Sequence, residues 1–89
     1  MTFEWDEDKA AANAAKHGIR FDYAARVFLD PYRLELPDER EEYGEVRFKT
    51  MGMVDGRVLV VVYTIRNGNI RLISARRAER YEQRRYHEI

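Results

Sequence analysis

Eight consecutive residues, Val58 to Ile65, read VLVVVYTI, with no charge and no glycine among them. The run is far short of the roughly 20 apolar residues needed to span a membrane as a helix. Its β-branched composition suits a strand buried on both faces. Asp55-Gly56 precedes it and Asn67-Gly68 follows it. Both pairs are two-residue hairpin signals, because type I′ turns need positive φ at both central positions. Val46 to Val54 and Ile70 to Ala75 then become antiparallel neighbours, and the second half of the chain reads as a three-stranded meander. A central strand this apolar needs cover on both sides of the sheet.

The first half supplies one cover. Phe3-Glu4-Trp5 alternates as a short edge strand does. Asp6 is placed as an N-cap, Glu7 and Asp8 favour the helix N-terminus, and Lys16 and His17 favour its C-terminus. Gly18 takes the left-handed position that ends a helix, so Glu7 to His17 is predicted helical. Ala10, Ala11, Ala14 and Ala15 share one side of it, the side expected to pack on the sheet. Lys9, Asn13 and Lys16 line the other, with His17 at its edge. A second helix is predicted from Tyr23 to about Phe28, stopped by Asp30-Pro31. Tyr32 to Leu36 reads as a strand, and the acidic stretch Pro37 to Gly44 as an exposed loop. From Arg77 to Tyr86 a last helix is expected without an apolar stripe, with Arg77, Tyr81 and Arg84 on one side and Glu79, Glu82 and Tyr86 on another. The fold class is α+β: two N-terminal helices packed on a twisted antiparallel sheet, plus a C-terminal helical segment. At 89 residues the chain fits one domain, residues 1–89.

The charge balance looks uninformative until it is divided. Lysine plus arginine is 16 and aspartate plus glutamate is 16, a net charge of zero. Residues 1–45 carry 12 acidic and 6 basic side chains, whereas residues 46–89 carry 4 acidic and 10 basic ones. Such asymmetry points either to a polyanion-binding face or to ion pairs between interleaved halves. There is no cysteine, hence no thiol nucleophile, no disulfide and no thiolate zinc site. That absence is compatible with a reducing cytoplasm. His17 and His87 are the only histidines and form no ligand motif, so neither metal nor cofactor is expected. Ser74, the only serine, lies in a strand and not at a nucleophile elbow.

What remains is cationic chemistry on a sheet. Arg47 and Lys49 are two apart on one strand and share a face. Arg66 and Arg76 lie near the ends of neighbouring strands, where two guanidinium groups can converge on one phosphate. RNA cleavage by its own 2′-oxygen needs only positioning, charge stabilisation and proton transfer. His17, Tyr86, Glu79 and Glu82 are the candidate proton-bearing groups.

The segments FEWDEDKAAANAAKHGIRF, ARVFLDP, GEVRFKTMGMVDGRVLVVVYTIR and IRLISARRAERYEQRRY, in that order, resemble the BrnT family of bacterial toxins. The resemblance implies a RelE-like fold and a ribonuclease, acting as an endoribonuclease without metal, that inhibits translation and growth in the bacterial cytoplasm. It implies a BrnA-type antitoxin carrying a ribbon-helix-helix domain, with promoter DNA bound only through the toxin–antitoxin complex. A dimer or a heterotetramer with antitoxin is the assembly to look for. The motif positions carried over are Trp5, Asp6, Lys9, Asn13, Lys16, His17, Gly18, Arg47, Arg66, Arg71, Ser74 and Arg76. Trp5, Asp6 and Gly18 have sufficient structural reasons. Arg66 and Arg76 are the candidates for transition-state phosphate, His17 and Tyr86 for proton transfer, and Lys9, Lys16, Arg47 and Lys49 for RNA binding. The competing reading is a non-catalytic module of the same fold that binds nucleic acid or a partner.

Overall fold

The computed structural model describes residues 1–36, 41, 42 and 44–88. In chain order they form β1 (Phe3–Glu4), α1 (Glu7–His17), α2 (Phe21–Ala24), a 3-10 segment (Ala25–Leu29), β2 (Leu34–Leu36), β3 (Glu41–Glu42), β4 (Glu45–Val46), β5 (Phe48–Val54), β6 (Arg57–Arg66), β7 (Asn69–Arg77) and α3 (Arg80–His87). The class is α+β, as expected. The main sheet has the order β1-β7-β6-β5-β2, and β3 and β4 pair as a separate two-stranded ribbon. Of the acidic stretch predicted as a loop, residues 37–40 and 43 lie outside the described residues, and Glu41–Glu42 belongs to that ribbon.

The order of the meander is as predicted, with β6 between β5 and β7, but Val46 belongs to the separate ribbon and Arg77, expected to open the last helix, ends β7. Both turns carry the expected positive φ, at Asp55 and Gly56 and at Asn67 and Gly68. Asp6 caps α1 by accepting the Lys9 N–H at 3.0 Å, and Gly18 ends the helix at φ 69°.

Two parts of the expected architecture are corrected. The sheet is mixed, because β1 runs parallel to β7, pairing Phe3 with Ile70 and Glu4 with Arg71. There are not two full N-terminal helices either. The second is a single α-turn that continues as a 3-10 segment. Its tight coil brings Val27 against Gly52 of β5, where an added Cβ would lie 3.0 Å from the Val27 carbonyl oxygen and 3.1 Å from its Cβ. Glycine is the residue that permits this approach.

One face of the sheet (Leu59, Val61, Tyr63, Leu72, Ala75) packs against Ile19, Phe21, Ala24, Ala25, Val27 and Phe28. On the other face Met51, Val58 and Val60 pack with Leu34, Leu36, Met53, Ala78 and Tyr86. The C-terminal helix therefore supplies the second cover that β6 requires, through the Glu82–Tyr86 side noted in the sequence.

The docking of α1 departs from the alanine-face expectation. Ala11 and Ala15 are exposed, and Asn13 is the buried residue of the helix. Asn13 Nδ2 donates to the carbonyls of Ala75 (2.9 Å) and Ile19 (3.0 Å), and its Oδ1 accepts from Ala75 N–H (3.0 Å). The amide thus continues the β7 edge where β1 has ended. Three hydrogen bonds to buried backbone outweigh the burial of a smooth alanine side, and they turn Asn13 inward.

Candidate functional site

The second sheet face is positioned by a bulge. Val62 is opposite Ser74, but Tyr63 is opposite Leu72, so Ile73 is an extra residue in β7. Strict alternation would put Ser74 and Arg76 on the same side as Leu72, in the first core. The bulge resets the parity. Leu72 and Ala75 stay in the first core, while Ser74 and Arg76 point to the opposite face with Val62 and Val60. Lys49 is opposite Val62 from the β5 side. Lys49, Ser74 and Arg76 therefore surround Val62 and Val60 on one face.

Arg76 is held there by α3. Its Nη1 and Nη2 donate to Glu82 Oε1 and Oε2 at 2.8 and 3.0 Å. Glu82 is buried, 4% exposed, and its Oε1 also accepts the Glu79 N–H at 2.8 Å. The Arg76 hydrogen bonds lead in lowering the Glu82 pKa, against a burial penalty, with the Glu79 N–H and the charges of Arg76 and Lys49 adding to them. The same pairing raises the Arg76 pKa.

A second cationic group lies towards the other end. Arg71 Nη1 donates to Glu4 Oε2 (2.6 Å), Asn69 Nδ2 donates to Glu4 Oε1 (3.1 Å), and Arg66 Nη2 donates to Glu45 Oε1 (2.6 Å). The hydrogen bonds from Asn69 and Arg71 hold the Glu4 carboxyl below its ordinary pKa. Arg66 is opposite Asn69 and Arg76 is opposite Val60. Six residues along β6, at about 3.3 Å each, separate the two arginines by about 20 Å. The structure does not bring Arg66 and Arg76 to one phosphate. The pairs Glu4–Arg71, Glu45–Arg66 and Arg26–Asp55 each join an acidic with a basic residue across the two halves of the sequence.

The remaining candidates fall into two places. Asn13 fixes which side of α1 meets the β7 edge, and Lys9, Lys16 and His17 lie within about 60° of it on the helical wheel. Lys9 and Lys16 are exposed and His17 is half-buried. Asn13 brings that side of α1 to β7 at Ala75, next to Arg76 in the sequence. Arg47 sits between β4 and β5, half-buried, and not on one strand with Lys49 as expected. Tyr86 is elsewhere in role: its hydroxyl donates to Asp30 Oδ2. Burial first, then this bond and the Asp30 charge, push the Tyr86 pKa up to about 12. Asp30 also accepts the N–H groups of Met53 (2.8 Å) and Tyr32 (2.9 Å). Asp30 is thus an anchor for α3 that the sequence suggested only as a helix stop. Among the described residues no three His, Cys, Asp or Glu side chains gather as a metal site, and no helix is long and apolar enough to cross a membrane.

A family model described as "Ribonuclease toxin, BrnT, of type II toxin-antitoxin system" matches residues 5–82. The chain belongs to the BrnT family. A search of curated proteins found no match. BrnT membership makes this a ribonuclease toxin of a type II toxin–antitoxin system, with RNA as substrate and an antitoxin as partner. The matched span holds α1, the whole meander and the Arg76–Glu82 pair. It ends before Tyr86.

Proposed function

We propose that residues 1–89 act as one RelE-like toxin domain that cleaves RNA internally without a metal, on the sheet face around Arg76. The observation that carries this reading is the BrnT match across the segment that holds Arg76, Ser74 and Lys49 together. The 2′-oxygen of one nucleotide attacks the adjacent phosphorus. The bond from phosphorus to the 5′-oxygen breaks, leaving a 2′,3′-cyclic phosphate and a 5′-hydroxyl. A proton leaves the 2′-hydroxyl and one is delivered to the departing oxygen. Arg76 takes the reacting phosphate, since guanidinium donors match its oxygens. His17 transfers the proton or orients the substrate. Lys9, Lys16, Arg47 and Lys49 follow the RNA backbone. Arg66 meets a phosphate distant from the one cleaved. Tyr86 serves by holding α3 to Asp30.

The partner in this reading is a BrnA-type antitoxin with a ribbon-helix-helix domain, and only the complex binds promoter DNA and represses the operon. The site of action is the bacterial cytoplasm. Purified protein is expected to cleave RNA with EDTA present and to lose most activity in Arg76→Ala with its fold intact. Loss of cleavage in EDTA overturns the metal-free step. Intact RNA under all metal conditions supports the non-catalytic module instead. Co-expression with the adjacent small reading frame is expected to yield a stable complex, and recovery of free toxin alone counts against the pairing.

A further inference from the structure

The Arg76 guanidinium has five N–H donors. Glu82 occupies its end-on fork, one hydrogen from Nη1 and one from Nη2. The second Nη1 hydrogen goes to the Arg77 carbonyl at 3.3 Å. Nε–H and the second Nη2 hydrogen remain. They are parallel and form the side-on fork, the arrangement that meets two oxygens of a phosphate. Among the described residues neither has an acceptor, and the side chain keeps 32% of its surface exposed.

Glu82 is itself fixed. Its carboxylate is buried, and the Glu79 N–H at the start of α3 binds the same oxygen that Nη1 binds. The plane of the guanidinium is therefore set by the helix backbone and does not depend on the arginine's own flexible stem. A single carboxylate fills one fork of a guanidinium, so Glu82 fixes Arg76 in place and leaves the Nε/Nη2 fork for a second ligand.

We propose that Glu82 is the positioning residue of Arg76, turning its Nε/Nη2 edge towards the reacting phosphodiester on the face shared with Ser74 and Lys49. This rests on the ribonuclease reading and deepens it. The pair is electrically neutral as a unit, so long-range attraction of RNA falls to Lys49 and the lysines of α1. Arg76 contributes orientation. Because hydrogen bonds hold the Glu82 carboxyl below its ordinary pKa, the clamp stays charged throughout the neutral range.

The test is Glu82→Gln, which keeps an acceptor for the Glu79 N–H and removes the charge. Cleavage kinetics on one RNA are expected to show kcat about 10- to 100-fold lower, KM within about twofold, and cooperative unfolding retained. An unchanged or raised kcat overturns the proposal, the latter by making Glu82 an inhibitor of Arg76. A loss that simply tracks the folded fraction overturns it too. An independent reading is the Arg76 Nε–H resonance in isotope-labelled protein. It is expected to be sharp and to move on addition of a 2′-deoxy-substituted RNA oligonucleotide, and to be broad and unmoved in Glu82→Gln. A wild-type resonance indifferent to the oligonucleotide sinks the proposal. If wild type cleaves no RNA, the ribonuclease reading fails while this resonance still decides the role of Glu82. If Arg76→Ala cleaves like wild type, the placement of the phosphate at Arg76 fails, and the positioning role with it.

Discussion

The side-chain amide of Asn13 pairs with the backbone of Ala75 as a neighbouring strand would, donating at 2.9 Å and accepting at 3.0 Å. One helical side chain thus finishes a sheet edge that the two-residue β1 leaves incomplete. Asn13→Ala is expected to leave the Ala75 N–H and the carbonyls of Ala75 and Ile19 buried and unpaired. The cost of such groups puts the loss at about 2–4 kcal/mol. Urea unfolding measures it. A loss under about 0.5 kcal/mol, the range of ordinary surface substitutions, would mean the edge finds other partners.

Gly52→Ala places a Cβ against backbone, not against a yielding side chain, with the Val27 carbonyl oxygen 3.0 Å away. Overpacking of this kind costs about 1–3 kcal/mol. The expected outcome is a lower unfolding midpoint with an unchanged denaturant slope.

The attachment of α3 depends on two carboxylates. Burial alone would raise the Asp30 pKa, but hydrogen bonds from Tyr86, Met53 N–H and Tyr32 N–H outweigh it and lower it from 3.8. The Arg76 hydrogen bonds lead in lowering Glu82 from 4.5. Both folded values lie below the unfolded ones, so their stabilisation is complete above the ordinary pKa and is lost as pH falls through the lowered value. Amide exchange in residues 80–87 is expected to speed up in that acid window before the β6 amides lose protection. Glu82→Gln should flatten the acid limb of the stability curve. Tyr86 has the opposite sign: its pKa is raised from 10.0 to about 12, so its contribution is present below pH 10 and is lost as pH rises towards 12. Tyr86→Phe should remove one late-ionising phenol from a spectrophotometric titration.

Arg66 and Arg76 are too far apart to serve one phosphate. Arg66→Ala is expected to raise KM for long RNA several-fold and to leave a di- or trinucleotide substrate unaffected. Equal losses on both substrates would place Arg66 at the reacting group. For Lys49→Ala, the slope of log affinity against log salt should fall by about 0.7, one single-strand phosphate contact. An unchanged slope would remove Lys49 from the RNA path.

Local chemistry made much of this fold readable. Asp6, Gly18, Asp55-Gly56 and Asn67-Gly68 each fix a backbone conformation through their own side chain or lack of one, so α1 and the meander follow from residue identity. The Ile73 bulge does not: no residue type announces it, and it decides which face receives Ser74 and Arg76. The parallel pairing of β1 with β7 joins residues over 60 positions apart through two residues, too short for any periodic signal. The arginines were legible as a basic half, but not their carboxylate partners, because ion pairing belongs to tertiary geometry. Glu82 was legible as a proton-bearing candidate on a polar helix, and only the packing of α3 shows it to be buried and paired with Arg76.

Three attachments in the fold wait for residues beyond β6. β1 pairs with β7, Asn13 needs Ala75, and the cover on the second face needs α3. A nascent chain that has not yet yielded β7 has no edge for its N-terminus to join and no Arg76 to offer. Synthesis thus leaves the N-terminal segment without its sheet partner until β7 has been made, and a message interrupted before β7 yields a fragment that lacks Arg76 and the strand that Asn13 closes on.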